Sequence, residues 1–149
     1  MSPAKRRLLE LEREGYVFHG SENSFNRLEP KQSYIIINEE EIKDGEPAVF
    51  ASQFADIAIF MAIINETNCP KGFRSGFSYE DSKLSFRATQ ETLDQITPQA
   101  KGYVHVFKKE DFKFRSECQM VSFSFVTPLE ILEVSADDLP ENIVFESKG

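Results

Sequence analysis

Ala48-Val49-Phe50-Ala51-Ser52-Gln53-Phe54-Ala55-Asp56-Ile57-Ala58-Ile59-Phe60-Met61-Ala62-Ile63-Ile64-Asn65 is the stretch whose reading decides the fold. Its first four residues are a short apolar run after Pro47, which reads as a β-strand. Ser52 is of the type that caps a helix N-terminus, and Asp56 falls in the first turn, where the helix dipole favours a negative charge. From about Gln53 to Asn65 the residues are apolar on nearly every side. A helix of this kind has no face to give to water and belongs at the centre of the protein.

Upstream, Ser2-Pro3 supplies an N-cap and a first helical residue, and Ala4, Leu8 and Leu11 follow at i, i+4 and i+7. This predicts an amphipathic helix over residues 3–14, ended by Gly15. Lys5, Arg6 and Arg7 occupy its positive end and Glu10, Glu12 and Glu14 its negative one. The dipole is therefore opposed, and the helix depends on docking its leucines, helped by i,i+4 pairs such as Arg6 with Glu10. Tyr16-Val17-Phe18-His19 reads as a strand stopped by Gly20-Ser21-Glu22-Asn23, with His19 at its C-terminal end. Residues 28–47, which include Ser33, Asn38, Gly45 and Glu39-Glu40-Glu41, read as a long loop around a strand at Tyr34–Ile37.

Downstream of the central helix the pattern is mostly β. Phe73–Tyr79 and Leu84–Arg87 read as strands, and Thr89–Ile96 as a short helix. Tyr103–Phe107, Phe112–Phe114, Gln119–Phe125, Leu129–Val134 and a last edge strand at Ile143–Phe145 follow. Helices early and strands late give the class α+β: a mostly antiparallel sheet, with the buried helix and the N-terminal helix packed against it. At 149 residues the chain is expected to be a single domain, residues 1–149.

Net charge is −8, with 25 acidic against 17 basic residues, so the surface as a whole repels phosphate backbones and nucleic acid is not an expected partner. The longest apolar run, Ile57–Ile64, is too short to span a bilayer. Cys69 and Cys118 lack the spacing of a metal or disulfide framework, which with the absence of a leader pattern gives a cytoplasmic expectation. Fourteen Phe and no Trp predict a core built largely from phenyl rings.

His19-Gly20-Ser21 at a strand end, followed about thirty residues later by Val49-Phe50-Ala51-Ser52 entering a helix with Ala58, resembles the first two motifs of the ADP-ribosyltransferase superfamily. The resemblance implies a split β-sheet that holds NAD as cofactor and substrate. His19 would bond a ribose hydroxyl, the Gly20 backbone would approach the carboxamide, Phe50 would stack on nicotinamide, and Ser21 and Ser52 would add hydroxyl contacts. A carboxylate would stabilise the positive charge that develops as the glycosidic bond breaks. Glu117, in Arg115-Ser116-Glu117-Cys118-Gln119, resembles the late acidic motif, with Glu130 and Glu133 as alternatives. Members of that family often carry Tyr where this chain has Phe50, which keeps the stacking surface and loses the hydroxyl.

The activity so implied is ADP-ribosyl transfer, a glycosyltransferase-class reaction, to an unidentified acceptor, a protein among the candidates. The alternative is an inactive module that binds a ligand or protein with the same cleft. The N-terminal helix is a candidate docking or homodimer element. Phosphotransfer from an RNA 2′-phosphate fits less well, because Arg27, Arg74, Arg87 and Arg115 are scattered in sequence. His105 alternates with Tyr103 and Phe107 and reads as a structural histidine, and Cys118 as a small buried residue.

Overall fold

Ser2 starts the first helix as its chemistry dictates. In the computed structural model its hydroxyl accepts the Lys5 amide at 3.0 Å, and Pro3 opens α1 (Pro3–Arg13). Residues 1–32, 34–43, 46–141 and 143–146 are described, the side chains of 34–37 and 145–146 excepted. Ser33 and Gly45, expected in the long loop, lie outside them. Gly15, at φ +93°, takes the left-handed position that ends α1. Leu8 and Leu11 are buried. The opposed dipole is offset by tertiary contacts: Arg7, rather than Arg6, pairs with Glu10 at 3.1 Å and also reaches Glu130 at 3.2 Å. Lys5 donates to the Asp138 carbonyl at 2.9 Å.

The strands and helices that follow are β1 (Val17–Ser21), β2 (Tyr34–Ile37), β3 (Glu40–Lys43), β4 (Val49–Ala51), α2 (Ala55–Ile63), β5 (Ser75–Glu80), β6 (Lys83–Thr89), α3 (Gln90–Asp94), β7 (Lys101–Phe107), β8 (Lys113–Ser116), β9 (Gln119–Ser122), β10 (Glu130–Ser135) and β11 (Ile143–Glu146). The class is α+β. Three three-stranded sheets run in the orders β1-β7-β10, β4-β9-β8 and β11-β6-β5, with β2-β3 as a separate ribbon. Every pairing is antiparallel except β11 with β6.

Three sequence expectations are corrected. β1 does not end at His19 but continues through Gly20 and Ser21, because β7 offers Val104 and Tyr103 as partners in register. Ser52 is not the N-cap of α2. Its backbone is used in a bridge to β1, with Phe18 N–H on Ser52 O at 2.8 Å and the reverse bond at 2.7 Å. The helix therefore starts later, with Phe54 in the N-cap position and without a side-chain cap of its own. Glu12 of α1 takes over that task, its Oε1 accepting the Ala55 amide at 2.6 Å. The Glu39-Glu40-Glu41 run is not loop but a hairpin between β2 and β3. Asn38 and Glu39 sit at φ +52° and +66°, the pair of positive values that a two-residue type I′ turn demands. Asp81 and Ser82 build the same turn between β5 and β6.

α2 is buried because it lies between two sheets. One side meets Phe18, Val104, Val106 and Val134 of the β1-β7-β10 sheet, with α1 and its leucines behind. The other carries Ile57, Phe60 and Ile64 against Phe86 of β6. Backbone approaches backbone on the first side. A Cβ on Gly20 would stand 1.9 Å from the Ala58 carbonyl oxygen, and one on Gly102 would stand 2.0 Å from that of Ala62. Two glycines on neighbouring strands thus seat two helix turns directly on the sheet. The opposite sheet face closes over Val17, Val49, Ala51, Phe107, Phe112 and Met120. The core contains fewer phenyl rings than composition predicts: Phe25, Phe73, Phe114, Phe123 and Phe125 are each more than a third exposed. No helix among the described residues is long and apolar enough to cross a membrane.

Candidate functional site

The bridge between Phe18 and Ser52 is the point where β1 and β4 touch, and no further backbone bond joins them beyond it. Phe18 directs both its N–H and its C=O toward β4. In a regular antiparallel strand the direction alternates, so Gly20 directs its own N–H and C=O the same way, into the gap where the two strands part. Among the described residues neither group has a partner there. The gap is therefore lined by an open donor and acceptor of the main chain.

His19 stands beside it. Its Nδ1 lies 2.6 Å from the Phe50 carbonyl oxygen, which can only accept, so Nδ1 carries the proton. Burial pushes the imidazole pKa below its ordinary value, against the bond to Phe50, and the Lys31 charge adds to the lowering. The neutral ring then leaves a lone pair on Nε2. That atom has no partner among the described residues and is not among their buried unpaired atoms, so a ligand can reach it.

His105 lies behind His19. The two are direct cross-strand partners, with ring centroids 5.9 Å apart and ring planes at 65°. His105 is fully buried. Its Nε2 accepts the Phe25 amide at 3.0 Å, and its Nδ1 lies 3.3 Å from the His19 carbonyl oxygen. This tautomer exists only in the neutral ring, and burial depresses its pKa to about 4, overriding the bond to His19. Phe25 also stacks on the imidazole at 5.9 Å. The structural role expected for His105 is what these contacts describe, and they reach the wall of the site.

His19, Gly20, Phe50 and Ser52 line one hollow of about 280 Å³, together with Ala58 and Cys118. A second hollow of about 250 Å³ lies on the other side of His19 and Phe50, walled by Ser21, Phe25 and Lys31. The hydroxyls of Ser21 and Ser52 already serve the local backbone, accepting the Asn23 and Phe54 amides at 3.2 and 3.1 Å. Glu117 sits in the turn between β8 and β9, exposed to solvent. Its neighbours Ser116 and Cys118 line the first hollow, while Glu117 is absent from that lining. Glu130 pairs with Arg7, and Glu133 of β10 lies near Lys101 and Tyr103 of β7. Comparison with protein-family models, curated proteins and solved structures finds no match to this chain.

Gly20 has a different reason to be glycine than a ligand's approach: the Ala58 carbonyl occupies the space where its side chain would be. Arg115 lies over the Phe50 ring at 5.4 Å, whereas Arg27 stacks on Phe125 at 4.5 Å. Cys118 is half-buried and faces the hollow, and burial, then the Glu117 charge, pushes its thiol pKa up, so it is held as the thiol. The sequence had no signal for Phe25, Met61 or Phe77 as lining residues. All three are set by how loops and sheets meet rather than by a local motif.

Proposed function

We propose that the chain binds NAD in this cleft and transfers its ADP-ribose to an acceptor, as an ADP-ribosyltransferase-like protein with a split sheet. The observation that carries the reading is the open N–H and C=O of Gly20 beside the lone pair of His19 Nε2. A primary carboxamide presents on one side its carbonyl acceptor and one of its two N–H donors at fixed spacing, which is what an unpaired strand edge binds. A ribose hydroxyl is what an imidazole lone pair accepts. Phe50 adds an apolar ring at the same wall, and two sheets that meet at one bridge and then diverge supply the gap.

A second reading, binding without turnover, is favoured by one feature. Glu117 is exposed on a turn and outside the hollow, while Arg115 brings a cation to Phe50, where a developing oxocarbenium ion is disfavoured. The test combines calorimetric titration of NAD with chromatographic detection of released nicotinamide. Transfer requires that wild type bind and release nicotinamide, that His19→Ala weaken binding about five- to tenfold through one lost hydrogen bond, and that Glu117→Ala abolish release at unchanged melting temperature. Binding without release selects the second reading, and absence of binding refutes NAD as the ligand in either.

A further inference from the structure

A further hollow, about 420 Å³, is distinct from the two at His19. It opens between the end of β1, the exposed side of α2 and β5, and shares with the neighbouring hollow Gly20, Met61 and Phe77. Its walls combine phenyl rings with carboxylates: Phe60, Phe73 and Phe77 supply the rings, Glu22 and Glu66 the charges, and no Lys or Arg is among its lining. Met61 is 52% exposed on a helix otherwise buried, and Phe73 is 44% exposed. Both would be covered by an occupant. Glu22 accepts a bond from the Thr67 hydroxyl, and neither carboxylate has an ion-pair partner among the described residues.

Rings turn the negative face of their π-systems toward a cation, and a cation without N–H donors loses little hydration by settling among them. Carboxylates at the rim add charge complementarity, and the overall charge of −8 favours the approach of positive ligands. The same surroundings repel phosphate and carboxylate. The volume is that of a small-molecule site.

We infer that this hollow is a binding site for a small organic cation carrying an alkylated ammonium group, held by Phe73, Phe77 and the carboxylates of Glu22 and Glu66. The site does not rest on the NAD reading; its failure leaves that reading untouched, and the reverse holds as well.

The probes are choline and dimethylbutanol, its uncharged carbon isostere. The readout is the methyl spectrum of methyl-labelled methionine. Met61 lines this hollow and its neighbour, so the Phe73 and Glu66 variants, at residues of this hollow alone, assign its shift, and Met120, 2% exposed in the opposite core, is the internal control. Choline shifts the Met61 signal to saturation and leaves Met120 in place, and the isostere binds at least about tenfold more weakly. Phe73→Leu and Glu66→Gln, both at exposed positions, each weaken choline about two- to fivefold, the effect of one exposed cation–π or charge contact. Equal shifts with the isostere, no shift with choline, or unchanged affinity in both variants would overturn the assignment.

Discussion

Lowering the pH from 7 to 5 is expected to remove about 2 kcal/mol of stability through His105. The folded ring holds a pKa of about 4 against an ordinary 6.5, because burial disfavours its charged form, and in the neutral ring Nε2 accepts the Phe25 amide. A depressed pKa contributes stability that is complete above 6.5 and is lost as pH falls through about 4. The whole difference corresponds to between roughly 3 and 4 kcal/mol at most, and somewhat over half of it, about 2 kcal/mol, falls between pH 7 and 5. His19, also depressed, acts in the same direction. Glu12 acts in the opposite one, since burial raises its carboxyl pKa and its contribution grows as pH falls. His105→Gln removes the titration but can still accept the Phe25 amide, so comparing wild type with this variant cancels the other groups. Urea unfolding followed by far-UV circular dichroism suits a chain without Trp. Wild type should lose about 2 kcal/mol more than His105→Gln between the two pH values. Equal losses would refute the neutral, acceptor tautomer of His105.

Gly20→Ala places a methyl 1.9 Å from the Ala58 carbonyl oxygen and should destabilise by about 3 kcal/mol or more in urea melts. Gly72→Ala, at φ +98° but in open space, should cost only about 1 kcal/mol; equal costs would show that α2 can retreat from the sheet. Glu12→Ala leaves the Ala55 amide of α2 without its acceptor and should cost about 1–2 kcal/mol by the same measurement, with a change under about 0.3 kcal/mol excluding the cap.

The class of the fold and the central place of α2 were legible in pattern: eight consecutive apolar residues put the helix in the core, although one position, Met61, is left 52% exposed. α1 was legible through Ser2, Pro3 and Gly15, which act within a few residues of themselves. What failed was non-local. Ser52 is a good capping residue, but its backbone was claimed by Phe18, thirty-four positions earlier, and the cap passed to Glu12. The strand at Tyr34–Ile37 was read, but its partner β3 was hidden because all of it is exposed, so it shows no alternation of polar and apolar residues. At the site, His19, Gly20 and Phe50 line one hollow, whereas Glu117, the carboxylate expected beside them, stands outside it on an exposed turn. The partnership of His19 with His105 was not legible, since strand register is fixed by turns and pairing rather than by either residue's neighbours.

The contact of Gly20 with Ala58 and of Gly102 with Ala62 makes one jaw of the cleft immovable, because helix and strand backbones there have no side chains between them to repack. The chain from Glu22 to Lys31, which walls the second hollow, is held only at separate points, by bridges at Leu28 and Lys31 and by the bond of the Phe25 amide to His105. Substitutions that widen or narrow that hollow therefore belong in this segment, where side chains rather than packed backbones form the wall.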